Sequence, residues 1–421
     1  MKIVDVVCEP VRSGFYRDDQ AAIRAGAAHD GFLYVGDALT PGFRAIREPG
    51  MAVSVMLVLS DGQVALGDCA EVQYPGAGGR APVFRAADAV AEIRTHLAPL
   101  LIGRTVPGFR ELAREVDGYR VGDPVTGTAV RYGVTQALLH AAALAAGITM
   151  AEVVQQEYST GIELAPVPLF AQTGDDRYTN VDRMILKEVE VLPHGLINEV
   201  GTKLGADGGL LKEYVAWLRQ RILALRVRPD YVPRLHLDTY GTIGMAFDSD
   251  TSCIADYLGE LAAIAVPFSL RVEHPVDAGS RDAQVRTYVE LRRTLAERGV
   301  QVELVVDEWC NTLEDIRVFV AAGAADVIHV KVPDLGGINN SIEALLHVRR
   351  KGLTAYCGGT CNETDISARV SAHVAMACGA DQILAKPGMG VDEGLMIVGN
   401  EMVRTVALAR RRAALGRGTD V

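Results

Sequence analysis

Three carboxylates stand at the ends of short apolar runs in the second half of the chain. Asp238, Glu273 and Asp307 each close such a run, and they are separated by 35 and 34 residues. This spacing is the length of one strand–helix repeat, so in a β/α barrel the three side chains would reach the same rim, where active sites lie. Their mutual repulsion calls for a cation, and hard oxygen ligands suit Mg²⁺. The spacing predicts a magnesium site; the alternative is that these residues only cap the helices that follow.

A lysine follows on the next apolar run, in His329-Val330-Lys331-Val332. The alternation of side chains along a strand puts His329 and Lys331 on the same side. An amine beside a divalent cation loses part of its proton affinity, and enzymes tune such lysines to a pKa of ~7–8. Lys331 is therefore predicted to act as a general base. The alternative is a buried salt bridge between Lys331 and one of the carboxylates.

This set of groups suits the removal of a proton from the carbon next to a carboxylate. The step is unfavourable because it places extra negative charge on a group that is already anionic. A divalent cation that chelates the substrate carboxylate stabilises this charge as a Lewis acid. The residues alone thus predict metal-assisted proton abstraction from a carboxylic acid, and they do not define which acid.

Strand and helix patterns alternate from about residue 161 onward. Such alternation favours parallel strands with right-handed crossovers, and the number of units fits a closed β/α barrel better than a doubly wound open sheet, which is the alternative. No Gly-x-Gly-x-x-Gly lies between a strand and a helix, which disfavours dinucleotide binding. The predicted strands are 166–170, 235–238, 268–273, 302–307, 327–332, 353–357 and 382–385.

The first 160 residues have a different pattern. Apolar runs at 3–11, 53–59 and 64–72 come first, and the last two flank Ser-Asp-Gly-Gln at 60–63, which is typical of a hairpin turn. Helical patterns at 86–101, 109–116 and 133–147 follow. We therefore predict an α/β protein with two domains, an N-terminal α+β domain over 1–160 and a C-terminal TIM-like β/α barrel over 161–421.

Composition excludes several other classes of protein. The 421 residues are 49% hydrophobic and 23% charged, with a net charge of −11, which is compatible with a large buried core. No basic cluster indicates nucleic-acid binding, and the longest apolar stretch, 137–148, is too short to cross a bilayer. Seven scattered cysteines and a start without a signal-peptide pattern favour a soluble, cytoplasmic protein with reduced thiols and no membrane partner.

Three long segments of the C-terminal part resemble a known family. They read Lys-Val-Pro-Asp-Leu-Gly-Gly-Ile-Asn-Asn at 331–340, Gly-Gly-Thr-Cys-Asn-Glu-Thr-Asp at 358–365 and Leu-Ala-Lys-Pro-Gly-Met-Gly-Val-Asp-Glu-Gly at 384–394. They resemble the 3-methylaspartate ammonia-lyase family of the enolase superfamily, in which a capping domain precedes the barrel. The resemblance implies reversible anti elimination of ammonia from (2S,3S)-3-methylaspartate to mesaconate, Mg²⁺ as cofactor, K⁺ as activator, a small amino-diacid substrate and a homodimer.

The same resemblance implies roles for single residues. Its metal ligands fall on Asp238, Glu273 and Asp307, and its base for the 3S proton falls on Lys331. A second base on the opposite face, acting on the other C3 epimer, falls on His194. The positions that it implies for substrate binding are Gln172, Thr360 and Cys361, and those that line the pocket near the methyl and amine groups are Gln73, Phe170, Tyr356 and Leu384.

One position departs from the family pattern. His329 stands where members of the family carry Gln, whose amide contacts a substrate carboxylate. An imidazole can still donate a hydrogen bond, or carry charge when it is protonated. His329 is therefore predicted to bind substrate, with an altered affinity or pH dependence.

Two further functions stay open at this point. Racemisation, cycloisomerisation or dehydration of another carboxylic acid would begin with the same proton abstraction, so the three carboxylates do not discriminate among them. Gln172 and the Gly-Gly-Thr-Cys loop favour an amino-diacid. A degenerate barrel that only binds ligands would be expected to lack a metal ligand or the base, and this chain has all of them.

Overall fold

The computed structural model describes residues 1–122 and 126–417. Its N-terminal part contains the strands β1 (Ile3–Asp18), β2 (Ala28–Asp30), β3 (Leu33–Val35), β4 (Arg47–Leu59) and β5 (Val64–Ala70). Three of them form an antiparallel sheet in the order β1–β4–β5, and β2 pairs with β3 in a separate hairpin. In the central strand, Val55 pairs with Cys8 on one side and with Gly67 on the other.

The N-terminal part also contains helices. They are α1 (Gln20–Arg24), α2 (Ala86–Glu92), α3 (Ala98–Leu101), α4 (Arg110–Asp117), α5 (Thr128–Ala146) and α6 (Met150–Tyr158), and a π-helical turn (Ile93–Leu97) joins α2 to α3. Helix α5 ends at Gly147, whose φ of 66° is the left-handed conformation common at helix C termini. Helix α6 begins with a capping box formed by Thr149 and Glu152.

Two glycines let α5 lie directly on β5. A Cβ atom on Gly67 would stand 2.3 Å from the carbonyl oxygen of Gly133, and a Cβ on Gly133 would stand 2.4 Å from the backbone nitrogen of Cys69. Both clashes are with backbone, which cannot rotate away. The seat of α5 on the sheet therefore depends on the absence of side chains at these two positions.

We expect Gly133→Ala to lower the free energy of unfolding by about 1–3 kcal/mol, because overpacking against backbone outweighs the better helix propensity of alanine. Chemical unfolding measures the change. Gly399→Ala is the matched control, since Gly399 also lies inside a helix but a Cβ there would meet only Leu169 Cδ1 at 3.4 Å. A loss of the same size in both variants would contradict this explanation.

The C-terminal part is a closed barrel of eight parallel strands. They are β6 (Leu169–Phe170), β7 (Val191–His194), β8 (Arg234–Asp238), β9 (Leu270–Glu273), β10 (Glu303–Val306), β11 (Val327–Val330), β12 (Thr354–Cys357) and β13 (Ile383–Leu384). The predicted barrel is confirmed, and the open sheet is wrong. Strand β7 is the one that the sequence patterns did not predict, because Pro193 interrupts its short apolar run.

Helices surround the barrel and connect its strands. They are α7 (Thr179–Leu186), α8 (Gly209–Leu225), α9 (Thr242–Ala246), α10 (Thr251–Ala265), α11 (Arg281–Glu297), α12 (Leu313–Ala322), α13 (Ile338–Arg350), α14 (Asp365–Cys378) and α15 (Asp392–Arg417), with a π-helical turn (Val200–Leu204) before α8. Within residues 1–122 and 126–417, no single helix is long and apolar enough to cross a membrane; α5 and α6 pass that test only as a pair, bent by 92°.

The N-terminal part packs on the loops that follow the barrel strands. Gln73 N donates to Thr360 Oγ1 at 3.1 Å, and Gly14 N donates to the Glu363 carbonyl oxygen at 2.9 Å. Ser13 Oγ donates to Asn362 Oδ1 at 3.0 Å. These contacts close the C-terminal mouth of the barrel from above.

Candidate active site

Five consecutive barrel strands each deliver one ionisable side chain to the mouth. His194, Asp238 and Glu273 are the last residues of β7, β8 and β9, and Asp307 and Lys331 directly follow β10 and β11. We call these five residues the half ring. In the closed order of eight strands, β7 and β11 lie four positions apart. His194 and Lys331 therefore face each other across the barrel axis, with the three carboxylates between them along the rim.

Glu273 is the most heavily hydrogen-bonded member of the half ring. Its Oε2 lies 2.8 Å from His236 Nε2, and its Oε1 lies 2.7 Å from His329 Nδ1. The Tyr356 hydroxyl donates to Oε2 at 2.8 Å and to Oε1 at 3.0 Å. Burial opposes ionisation of Glu273, but its electrostatic interaction with His329 and the hydrogen bonds of both imidazoles outweigh burial and hold the pKa of Glu273 well below the usual range.

Asp238 lies between Glu273 and His194. Its Oδ1 accepts a hydrogen bond from Tyr240 N at 3.1 Å, and its Oδ2 stands 3.4 Å from His194 Nε2. Burial and then the charge of Glu273 raise the pKa of Asp238 to about 6. His194 has φ of 64°, an unusual conformation for a residue with a side chain. Its Nδ1 has no hydrogen-bond partner among the residues that the structure describes.

Lys331 is paired with a carboxylate of the half ring. Its Nζ donates to Asp307 Oδ2 at 2.6 Å. Burial and the charge of Arg80 lower the pKa of Lys331, but the negative charges of Asp307, Glu308 and Asp334 outweigh them and raise it. The amine is a cation in a salt bridge with Asp307, which is the alternative weighed for this lysine from the sequence.

Arg80 brings a second cation to the same carboxylates. Its Nη2 donates to Asp307 Oδ1 at 3.0 Å, its Nη1 to Glu308 Oε1 at 3.1 Å and its Nε to Asp334 Oδ2 at 2.8 Å. The loop that carries it comes from the N-terminal part and lies close to the rim: a Cβ on Gly78 would stand 2.6 Å from Glu308 Cγ. The sequence patterns did not single out Arg80, although Gly-Ala-Gly-Gly-Arg at 76–80 signals a close backbone approach.

A cavity of about 410 Å³ opens beside the half ring. Ten of the residues singled out from the sequence line it: Gln73, Gln172, His194, Asp238, His329, Lys331, Tyr356, Thr360, Cys361 and Leu384. The sequence patterns did not identify four more lining residues, which are Val72, Tyr74, Arg80 and Tyr240; Gly359, which also lines the cavity, belongs to the Gly-Gly-Thr-Cys loop noted in the sequence. Glu273, Asp307 and Phe170 do not line the cavity. Phe170 belongs to the apolar barrel interior and stacks on His236, with ring centroids 4.2 Å apart.

A buried ion pair holds the loop that carries Thr360 and Cys361. Lys386 Nζ donates to Glu363 Oε2 and to the Gly358 carbonyl oxygen, each at 2.7 Å. The same Oε2 accepts from Thr360 N at 3.0 Å, and Glu363 Oε1 accepts from Tyr132 Oη at 2.6 Å. Because every one of these groups is buried and paired, the loop has a fixed backbone facing the cavity.

Cys361 is a thiol rather than a nucleophile. Its Sγ lies 3.5 Å from Gln73 Oε1, and Gln73 Nε2 donates to Asp18 Oδ2 at 3.0 Å. Burial raises the pKa of Cys361 well above its usual value. The side chain is therefore a neutral thiol. A ligand would be bound by this loop mainly through backbone groups.

Among the described residues, carboxylate and imidazole atoms of Glu273, Asp307 and His329 lie within 4.8 Å of one another, close enough to hold a cation. Asp238, the third ligand expected from the sequence, is not in that group. It is, however, paired in register with Glu273 on the adjacent strand, and it lines the cavity that His329 also lines. The donors on this side of the rim are mostly hard oxygens, which suit Mg²⁺.

The fold and the half ring define an enolase-like barrel with a capping part. Muconate lactonizing enzyme from Pseudomonas putida has the same fold, with a TM-score of 0.61 and 16% identity over 90% of this chain and 85% of that one. Family models described as methylaspartate ammonia-lyase N-terminus and C-terminus match residues 1–159 and 161–411. The chain belongs to the methylaspartate ammonia-lyase family, and the resemblance noted in the sequence is confirmed.

Relatives in this family are similar over their full length. The methylaspartate ammonia-lyase of Clostridium tetanomorphum is 55% identical over 98% of this chain and 100% of its own, and its structure as a magnesium complex superposes with a TM-score of 0.92. The Citrobacter amalonaticus enzyme, solved with (2S,3S)-3-methylaspartic acid, is 50% identical over 97% of this chain and 100% of that one, with a TM-score of 0.94.

Proposed function

We propose that this chain is a carbon–nitrogen lyase that eliminates ammonia reversibly from (2S,3S)-3-methylaspartate to give mesaconate, with Mg²⁺ as cofactor. The observation that carries the proposal is the half ring, in which two bases on opposite sides of the barrel flank three carboxylates. Support for the substrate comes from the relatives, of which one was solved with magnesium and one with (2S,3S)-3-methylaspartic acid.

Asp238, Glu273 and Asp307 would hold the cation. They fit it because all three are buried, oxygen-bearing and placed on adjacent strands, where their negative charges need compensation. Bound Mg²⁺ would supply Lewis-acid stabilisation of the charge that develops on the substrate carboxylate, and it would offset the negative charge that now raises the pKa of Lys331.

Lys331 would take the C3 proton of the 3S substrate on its Nζ. The electron pair of the broken C3–H bond forms the new C2–C3 double bond, and the pair of the C2–N bond leaves with the nitrogen as ammonia. His194 would take the C3 proton of the other epimer, because it faces the same cavity from the opposite strand. Its Nε2 contacts Asp238, and its Nδ1 has no hydrogen-bond partner among the residues that the structure describes.

The remaining residues would orient the substrate. We assign carboxylate binding to Gln172 and to Thr360 and Cys361, which lie in the loop that the Lys386–Glu363 ion pair holds. We assign substrate contact to His329. The residues that we assign to the surroundings of the methyl and amine groups are Gln73, Phe170, Tyr356 and Leu384. Phe170 would act from beneath, through the rings that it packs against, since it lies behind the cavity surface.

The direct test follows the ultraviolet absorbance of mesaconate. Purified protein with 3-methylaspartate and Mg²⁺ should produce it, and chelation of the metal should stop it. Absence of product would contradict the proposal. A panel of other amino-diacids and hydroxy-diacids separates it from racemisation, cycloisomerisation or dehydration, none of which releases ammonia from this substrate.

We expect His329→Gln to keep kcat within about tenfold of the wild type, a change of ~1.4 kcal/mol in the barrier. A glutamine can donate to Glu273 through its amide NH₂ and accept from Gly359 N through its oxygen, as His329 does. Initial rates across pH measure both kcat and the acidic limb of the profile. His329→Leu, which lacks both groups, is the control, and equal losses in the two variants would contradict the prediction.

Three further properties follow from family membership as proposals. Residues 1–160 would act as a cap and 161–421 as the barrel that carries the chemistry. The protein would be a homodimer, which light scattering tests directly. K⁺ would increase turnover, and rates in K⁺ and in tetramethylammonium at equal ionic strength test that effect.

A further inference from the structure

A line of polar side chains crosses the interior of the barrel beneath Glu273. At the opposite end of the strands, Arg271 contacts the partly exposed carboxylates of Glu303 and Asp381, at 2.7 Å and 2.6 Å. Arg271 Nη1 donates to Gln382 Oε1 at 2.8 Å. Gln382 Nε2 lies 2.9 Å from His236 Nδ1, and His236 Nε2 reaches Glu273.

The direction of every hydrogen bond in this line is fixed by chemistry. A guanidinium can only donate, so the Gln382 oxygen must face Arg271 and its NH₂ must face His236. An amide NH₂ can also only donate, so His236 Nδ1 must accept. The proton of the neutral ring therefore sits on Nε2, which donates to Glu273 Oε2.

The second imidazole that contacts Glu273, that of His329, carries its proton on the other ring nitrogen. Gly359 N donates to His329 Nε2 at 3.2 Å. A backbone N–H cannot accept, so Nε2 is the bare nitrogen and Nδ1 carries the proton, which it donates to Glu273 Oε1. A nitrogen that carries a proton cannot bind a metal, although the distance between this nitrogen and the two carboxylates would allow it.

We propose that Arg271, Gln382 and His236 form a one-way chain of donors that positions Glu273 as a metal ligand. His329 acts on the metal site only through its hydrogen bond to Glu273 and is not itself a metal ligand. This inference rests on the proposed metal site. It assigns positioning roles to three buried residues that do not line the substrate cavity. Each oxygen of Glu273 receives one imidazole N–H, and the Tyr356 hydroxyl lies within hydrogen-bond distance of both oxygens.

The test compares two substitutions of His236 in the full-length protein, with calorimetric titration of Mg²⁺ alone. His236→Phe keeps the stacking on Phe170 but removes the donor, and we expect Mg²⁺ affinity to fall tenfold to a hundredfold. His236→Gln can accept from Gln382 and donate to Glu273, so we expect affinity within about threefold of the wild type. Gln284→Met is the control, because it removes another fully buried glutamine, whose side chain is hydrogen-bonded to the Val276 and Ala278 backbone and to Tyr288, away from Glu273.

Two outcomes separate this inference from the proposed function. If the wild-type protein does not bind Mg²⁺, the proposed metal site fails. If the wild type binds and His236→Phe binds equally well, the positioning role fails. Nitrogen-15 NMR of the wild-type imidazoles tests the chain without any variant: we expect the proton of His236 on Nε2 and that of His329 on Nδ1, and the reverse assignment at either ring would overturn it.

Discussion

Replacing Lys331 with alanine is expected to lower kcat on (2S,3S)-3-methylaspartate by ~10²–10⁴-fold, which is the usual contribution of a positioned general base. The variant loses the amine that contacts Asp307, and the other cation on that carboxylate, Arg80, is a guanidinium that stays protonated and cannot take the proton. Mg²⁺ affinity should be retained, because the carboxylates remain. Steady-state kinetics and metal titration on the same sample measure the two effects separately.

The epimers of the substrate give this prediction its control. Activity on the other C3 epimer should fall much less in Lys331→Ala, and His194→Ala should show the reverse preference. Lys203→Ala is a second control, since Lys203 is also a buried lysine in an ion pair, with Asp175, but lies outside the cavity. Equal losses on both epimers in Lys331→Ala would show that Lys331 does not act as the face-specific base.

Replacing Arg80 with methionine is expected to lower the free energy of unfolding by about 3–5 kcal/mol, as when one partner of a buried ion pair is removed. Arg80 is buried and contacts Asp307, Glu308 and Asp334, which would then keep Lys331 as a nearby cation, with His274 beside Glu308. We also expect Mg²⁺ to restore part of the lost stability, because a cation between these carboxylates compensates the same charge. Thermal unfolding with and without Mg²⁺ measures both effects.

Arg104 provides the matched control for this substitution. It forms a two-pronged ion pair with Glu115, but both side chains are about two-fifths exposed. Exposed pairs contribute ~0–1 kcal/mol, so Arg104→Met should change stability little, and its response to Mg²⁺ should equal that of the wild type because the metal site is intact. A similar loss in both variants would mean that the burial of Arg80 in the carboxylate cluster does not matter.

The three carboxylates of the half ring were predictable because the two strand–helix repeats that separate them are nearly equal, at 35 and 34 residues. Asp238, Glu273 and Asp307 follow one another at that repeat, so their shared rim could be inferred from spacing alone. Lys331 followed from its place on the next strand. His194 was identified from the family resemblance and not from spacing, because Pro193 interrupts the apolar run of the strand that carries it.

What the sequence could not provide is the set of partners that these residues meet. Arg80 comes from the N-terminal part and lies 227 residues from Asp307 along the chain, so no local pattern connects them. The two imidazoles on Glu273 belong to residues on predicted strands, but their hydrogen bonds depend on Gln382, just before β13, and on Gly359, in the loop after β12. Side-chain pairing of this kind is decided by tertiary packing, which the hydrophobic periodicity of a sequence does not report.

The hydrogen bonds that close the barrel mouth join residues from the two ends of the chain, and this has a consequence for synthesis. Gln73 and Thr360 are 287 residues apart, and Ser13 and Asn362 are 349 apart. During synthesis on the ribosome, the N-terminal sheet emerges long before the loop that it contacts, because most of the chain lies between them. Contacts between residues so distant along the chain form slowly. We expect the substrate cavity to be among the last features to assemble, so a nascent chain stalled before residue 360 would have no complete site.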